Sequence, residues 1–434
     1  FKNLKVYDHH TSHAASAAFN SNFLNCYCLT IDGWGDDASA KIFSYNKGKF
    51  IEISKSSSLD SLGYFYGSIT KLLGFKPHQH EGKILGLAAY GNPRKSQKDM
   101  SKLISYDKKN KRFIGHYEKG IYQANFANSN LKYLTKKYST EDIAAGAQYL
   151  LEKLVLECVR SLSPNKFNLA LAGGIFANVK LNQKIKDEKK VKEIFIYPNM
   201  GDGGLSVGAA MLCYHEVTKK IPKSSINYYL GPMYNNTEIL TAIKKFKLKC
   251  SKPKYLEKKI AELLIQEKVI AHFNQRMEFG PRALGNRSIL CSAKNSNINS
   301  SLNNRLHRTE FMPFAPIVLE SEAKKYFKIN NEMSDYHFMT FTCDCKKIMS
   351  IKASAAVHID NTARPQIINE KTNSRLSKIL KEYYKLSKIP VLINTSFNMH
   401  EEPIVCSPTD ALRAFVDGKL DYLVINNFLI EQNE

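Results

Sequence analysis

Several features that betray function directly are missing from this 434-residue chain. No stretch approaches the ~18 uncharged apolar residues of a membrane span, so a soluble protein without membrane partners is expected. No positively charged start runs into an apolar segment, which leaves no sign of a secretory signal. The nine cysteines are odd in number and scattered. Only Cys26/Cys28 and Cys343/Cys345 lie close together, and neither pair has the CxxC or histidine partner of a zinc site. Reduced thiols in a cytoplasm fit best. There is no Ser-His-Asp order, no paired-carboxylate spacing and no Walker glycine loop, which removes those mechanisms.

One number is extreme, the formal net charge of +23. Nucleic acid or an anionic surface would be the usual partner. Here the lysines are spread (Lys108, Lys109, Lys111; Lys189, Lys190, Lys192; Lys244, Lys245, Lys247, Lys249) without interleaved aromatics or an RNA-binding motif. A solvated basic surface that also suits polyphosphate substrates is the reading, and nucleic acid is not the expected partner. The length points to two domains.

What is present begins at once. Asp8-His9-His10-Thr11-Ser12-His13 runs into Ala-Ala-Ser-Ala-Ala-Phe, a helical stretch, so His9 and His13 fall at i and i+4 on one face. Two imidazoles so spaced can share a metal, whereas His10 points elsewhere. Surface histidines on a polar helix start explain the same residues, so a third ligand is needed. Asn25 to Ile31 reads as a buried strand ending in Asp32-Gly33-Trp34-Gly35-Asp36-Asp37. That end serves either a phosphate, through backbone N–H groups, or a plain hairpin turn.

Two short glycine-closed helices follow, in 63–75 and 80–91. Residues 93 to 140 read as polar loop and surface. From Glu141 to Leu162 apolar residues recur at helical spacing. The strand Phe167 to Ala172 then breaks at Gly173-Gly174 and opens a helix through Asn178 to Asn182, with a second strand at Glu193 to Tyr197. A glycine pair there marks either a nucleotide site or a tight turn. Asp202, on a glycine loop before a small-residue helix, is either that helix's N-cap or the missing third ligand.

Residues from about 215 to 231 read as the connection between domains. Beyond it come a helix Leu256 to Lys268, a strand Val269 to Phe273, and a Gly/Pro loop carrying Arg276, Arg282 and Arg287, suited to bidentate capture of phosphate or carboxylate. Arg308 and Arg364 stand in later basic segments, and a strand leads into Asn394-Thr395-Ser396. A helix Ser374 to Leu386, a last helix Asp410 to Phe415 capped by Thr409, and a strand Tyr422 to Ile425 complete the reading.

The blocks HHTSHAASAAF, TIDGWGD, EGKILGLAAYG, LAGGIFANVKLN, PNMGDGGLSVGAA, RMEFGPRALGNRS, RTEFMPFAP, HIDNTARPQ and NTSFNMHEEPIV, in that order, resemble the ATP-dependent O-carbamoyltransferases almost end to end. The resemblance implies an α/β protein with an actin-like ATPase (ASKHA) domain over 1–225 and a YrdC-like α+β domain over 226–434. It implies a metal, iron(II) or another divalent ion, on His9, His13 and Asp202, with magnesium and ATP as further cofactors. Nucleotide is expected at Asp32, Gly33, Gly173, Gly174 and Asn178.

In the second domain Arg276, Arg282, Arg287, Arg308 and Arg364 would hold two polyanions while Asn394 and Ser396 supply donors. Carbamoyl phosphate and ATP would give carbamoyl adenylate, and a hydroxyl of a sugar-like or secondary-metabolite acceptor would take the carbamoyl group. The competing reading is a tRNA-modifying or nucleic-acid-binding protein of the related threonylcarbamoyl-transferase type. A homodimer is compatible with the resemblance. Two departures stand out: the usual N-terminal segment is missing, so a longer protein or a second chain is expected, and Met312 replaces an arginine common in relatives.

Overall fold

The computed structural model describes residues 4–116, 131–224, 227–308, 311–329 and 333–432. The chain divides into two compact units, Phe1–Ile226 and Asn227–Glu434, each an α/β unit with a mixed sheet.

The first unit opens with α1 (His9–Asn20), whose small side chains from Ala14 to Ala18 are buried. Asp8 caps it, accepting from the Thr11 amide. The strands β1 (Asn25–Gly35), β2 (Ala38–Asn46) and β3 (Lys49–Ser57) form an antiparallel meander. Next come α2 (Leu62–Leu72), α3 (Glu81–Ala88), α4 (Pro93–Met100), a hairpin of β4 (Ile104–Asp107) and β5 (Arg112–Gly115), and α5 (Lys132–Lys137).

The expectation of loop over 93–140 is thus corrected for the described part. Residues 117–130 lie outside the described residues. Tertiary contacts hold α4 despite its polar sequence, because Ser96 Oγ donates to the Asp142 carbonyl and Lys95 pairs with the Asp142 carboxylate at 2.7 Å.

The helix α6 (Thr140–Leu162) follows, capped by Ser139 with Glu141 and Asp142 in its first turn, where the helix dipole favours acids. Then come β6 (Phe167–Ala172), α7 (Val179–Lys186), β7 (Val191–Ile196) and α8 (Leu205–Thr218). The sheet order is β3-β2-β1-β6-β7, with β1, β6 and β7 parallel. Helix α8 lies so close to α1 that a Cβ on Gly208 would sit 1.8 Å from the Ser12 carbonyl oxygen. Part of the expected connection, to Thr218, is therefore helix, and residues 225–226 lie outside the described residues.

The second unit contains α9 (Asn236–Lys245), β8 (Cys250–Ser251), α10 (Leu256–Ile265), β9 (Ile270–Phe273), β10 (Arg287–Ser292), α11 (Asn297–Arg305), β11 (Ala315–Leu319) and α12 (Glu320–Tyr326). It continues with β12 (Cys343–Asp344), α13 (Lys347–Lys352), β13 (Thr362–Ala363), β14 (Gln366–Ile368), α14 (Ser374–Ser387), β15 (Val391–Ser396), α15 (Pro408–Asp417), β16 (Tyr422–Ile425) and β17 (Phe428–Glu431). An eight-stranded sheet runs β14-β11-β15-β10-β9-β16-β17-β8. Ser407, not Thr409, caps α15. Its hydroxyl accepts from the Asp410 amide while Asp410 accepts from the Ser407 amide, a reciprocal box that starts the helix earlier. Among the described residues no helix is long and apolar enough to cross a membrane, and all nine cysteines are free thiols.

Candidate functional site

The centre of the first unit is built by α1, the end of β1 and the loop before α8. His9 and His13 extend from one face of α1, as their spacing requires. His10 points away and is spent on the fold: Nδ1 lies 2.9 Å from Thr30 Oγ1, Nε2 lies 3.1 Å from the Ala38 carbonyl, and burial pushes its pKa down to about 4. His13 Nε2 donates to Asp32 Oδ2 at 3.0 Å and lies 3.5 Å from Asp202 Oδ1. His9 Nε2 lies 3.9 Å from Asp32 Oδ2 and 3.7 Å from Asp202 Oδ1, with no hydrogen-bond partner among the described residues.

One ligand atom from each of the four residues falls within 4.8 Å of the others. A buried imidazole nitrogen without a partner, facing two carboxylates, is a donor set that fits a divalent ion. Electrostatics agree. Burial raises the Asp32 carboxyl, but the His13 and His9 imidazoles outweigh it and hold it well below the usual carboxylate range. Burial likewise lowers His13, and the bonds to Asp202 and Asp32 more than restore it, so its pKa ends above the ordinary value.

Asp32, expected at the nucleotide through its glycine turn, sits with the imidazoles. The signal for this was present, an aspartate ending a strand in a chain with an HxxxH helix, but its meaning depends on a tertiary contact. Its Oδ1 accepts from the Gly33 amide at 2.7 Å and its Oδ2 from the Gly174 amide at 3.2 Å. Gly173 has φ +104°, and a Cβ there would lie 2.2 Å from the Ile31 carbonyl oxygen, so only glycine fits. Its amide donates to the Met200 carbonyl.

Asn178 caps α7 through the Leu181 amide and donates to Gln148 Oε1 at 2.8 Å. The Gly33 and Gly174 amides thus hold the Asp32 carboxylate, while the Gly173 amide is bonded to Met200 and the Asn178 side chain to the start of α7 and to Gln148. Asp202 makes no capping bond at the start of its short helix, and its side chain is 71% exposed. It faces the imidazoles instead.

In the second unit the arginines separate. Arg308 is clamped at the end of β15. It donates to Thr395 Oγ1 at 3.0 Å, to the Ser396 carbonyl at 2.9 Å and hydroxyl at 3.3 Å, and to Asn398 Oδ1 at 2.9 Å. Ser396 and Arg308 are therefore together. Arg287 is fully buried, stacks on Phe273 at 3.5 Å, and donates to the carbonyls of Asn274, Gln275, Asn286 and Pro232. Its guanidinium, expected on a substrate, is bonded to these backbone carbonyls and holds the loop together.

Burial pulls the Arg282 guanidinium down to about 10, so it stays charged at neutral pH. Arg276 is exposed and donates to the Gly231 carbonyl at 3.1 Å, and Arg364 is half-buried just after β13. Asn394 Nδ2 donates to the Ala283 carbonyl at 3.0 Å and Gln366 Oε1 at 2.9 Å, tying the arginine loop to the sheet, while its buried Oδ1 has no hydrogen-bond partner among the described residues.

Sequence reasoning missed Glu278, the hub of that loop. Its Oε1 accepts from the amides of Leu284, Asn286 and Arg287 at 2.7, 2.7 and 3.1 Å, and burial raises its pKa. A single acid among three arginines was the available clue. Thr309 and Glu310 of the RTEFMPFAP block lie outside the described residues.

Comparison with known proteins points the same way along the whole chain. An uncharacterized protein of Methanocaldococcus jannaschii is 34% identical, the match covering 99% of this chain and 84% of that protein. Nodulation protein NolO of Bradyrhizobium diazoefficiens is 30% identical over 98% of this chain and 79% of its own length. A solved structure of full-length HypF in its phosphate- and nucleotide-bound form covers 40% of this chain and 25% of its own at 19% identity, with a TM-score of 0.31, too low to bear on the fold. The Carbamoyltransferase N-terminus family matches residues 1–211, which carry the imidazole–carboxylate cluster, and the Carbamoyltransferase C-terminus family matches residues 261–432, which carry the arginine loop. With both halves matched in order around these two groups of residues, the chain belongs to the carbamoyltransferase family.

Proposed function

We propose that this chain moves a carbamoyl group from carbamoyl phosphate, by way of carbamoyl adenylate made with ATP, to a hydroxyl of a sugar-like or secondary-metabolite acceptor. The carrying observation is the convergence of His9, His13, Asp32 and Asp202 on one spot in a member of the carbamoyltransferase family. The first unit is read as an actin-like lobe, supported by its order of three antiparallel strands followed by two parallel ones. The second is read as YrdC-like.

Carbamoyl phosphate loses phosphate to water, leaving carbamate. A carbamate oxygen attacks the α-phosphorus of ATP, and pyrophosphate departs with the electrons of the broken P–O bond. Arg282 and Arg308, with Arg276 and Arg364, would meet this negative charge, while the Ser396 hydroxyl supplies a donor and Asn394, its two N–H groups bonded to Ala283 and Gln366, holds the arginine loop on the sheet. Arg287 and Glu278 keep the loop in shape. The acceptor oxygen then attacks the carbonyl carbon, AMP leaves, and the hydroxyl proton is lost to solvent at the exposed Asp202 rim. A divalent ion, iron(II) or magnesium, held by the two imidazoles and two carboxylates would act as a Lewis acid on the carbonyl.

The test is pyrophosphate release with ATP in the presence and absence of carbamoyl phosphate. Dependence on carbamoyl phosphate, lost in Arg282→Ala, is expected. Release that ignores carbamoyl phosphate overturns the reading, and normal turnover in Arg282→Ala removes the role given to the loop.

A further inference from the structure

The end of β1 does more than deliver Asp32. Between the pairs Ile31–Ala40 and Gly35–Ala38, the three residues Asp32, Gly33 and Trp34 stand opposite Ser39 alone. A bulge of this kind re-aims side chains. Asp32 turns to the imidazoles and Trp34 turns out to solvent, 57% exposed, the only tryptophan in the chain.

The indole's backbone is held on both sides. A Cβ on Gly35 would fall 2.1 Å from the His9 ring, and one on Gly33 would fall 3.7 Å from the Tyr64 ring. Tyr64 stands edge-on to the indole, centroids 6.4 Å apart at 74°, and to His78 at 6.1 Å and 90°. A row of three rings, Trp34, Tyr64 and His78, therefore starts two residues along the chain from Asp32.

Carboxylates stand near the start of this row. Asp36 accepts from the His9 amide, Asp37 pairs with Lys55, and Asp32 and Asp202 lie in the cluster. Carboxylates accept hydrogen bonds from hydroxyls. A large flat apolar face next to such acceptors suits a neutral ring with C–H bonds on one side and O–H groups at its edge.

We propose that Trp34 is the wall of the acceptor subsite, on which a neutral polyhydroxylated ring of the pyranoside type stacks so that one hydroxyl reaches the His9/Asp32 cluster. This rests on the carbamoyl-transfer reading. Tyr64 buttresses the indole, and substitution at 34 alters the choice of acceptor.

The sole tryptophan reports on its own subsite. Emission is followed while methyl β-D-glucopyranoside, methyl β-D-galactopyranoside and methyl N-acetyl-β-D-glucosaminide are titrated in. A saturable change with at least one glycoside is expected. For that glycoside, Trp34→Ala raises the KM for carbamoyl transfer by about tenfold with little change in kcat, and Trp34→Phe restores most of the loss. Emission indifferent to all three glycosides overturns the proposal, as does an unchanged KM in Trp34→Ala. Absent carbamoyl-phosphate-dependent pyrophosphate release in the wild type would instead sink the carbamoyl-transfer reading, and the emission titration would still judge the subsite.

Discussion

His13 shows how one side chain sets the behaviour of a site. Burial opposes its charge, yet hydrogen bonds to Asp202 and Asp32 raise its pKa above the ordinary 6.5. In the metal-free fold, that shift stabilises the protein below the ordinary histidine pKa, and the gain is lost as pH climbs through the raised one. Below the raised value a proton sits on the nitrogen that a metal would need. Metal uptake should therefore release a proton, and affinity should rise with pH and level off above the His13 pKa. Calorimetry with manganese(II) in buffers of different ionisation heat, between about pH 6 and 9, reads both effects. A flat affinity without proton release removes His13 from the ligand set.

Among the elements, α1 and α8 are the pair whose spacing decides the site. Gly208 lets the α8 backbone meet the Ser12 carbonyl, where a Cβ would be 1.8 Å away. Gly208→Ala must push the helices apart, and overpacking of this kind costs about 1–3 kcal/mol, read as a lower melting temperature. Metal affinity should fall with it, because α1 carries both imidazoles; an unchanged melt and affinity would mean that the contact is slack. Local periodicity made α6 legible almost to its ends, since its buried stripe is written within the segment itself. The helix α4 was not legible, because its support comes from Asp142 on another element. The cap of α15 was misplaced for a subtler reason: two neighbouring hydroxyl residues, Ser407 and Thr409, both suit an N-cap, and the choice falls on the one whose geometry closes a reciprocal bond with Asp410.

At the scale of the whole molecule, the +23 charge acts on encounter rather than on shape. If polyphosphates are the substrates, added salt should raise the KM for ATP while leaving kcat nearly constant, and a salt-independent KM would show that the surface charge is idle. The candidate site was legible where its logic was local. His9 and His13 were found by a four-residue spacing, and Asp202 by its glycine setting, whereas the role of Asp32 depended on a fold that brings it to them. Glu278 and Arg287 were obscured for the opposite reason, because a charged residue reads as chemistry until its partners are seen to be backbone groups.

The parallel joint between β1 and β6 has a consequence in time. His9, His13 and Asp32 precede the joint and Asp202 follows it. During synthesis the first three ligands leave the ribosome well before the fourth, and at roughly 5–20 residues per second the delay is on the order of ten to thirty seconds. For that interval the nascent chain carries only three of the four candidate ligands. An ion, if these four groups hold one, would be gripped by all of them only in a unit that has already closed, so loading would follow folding rather than seed it.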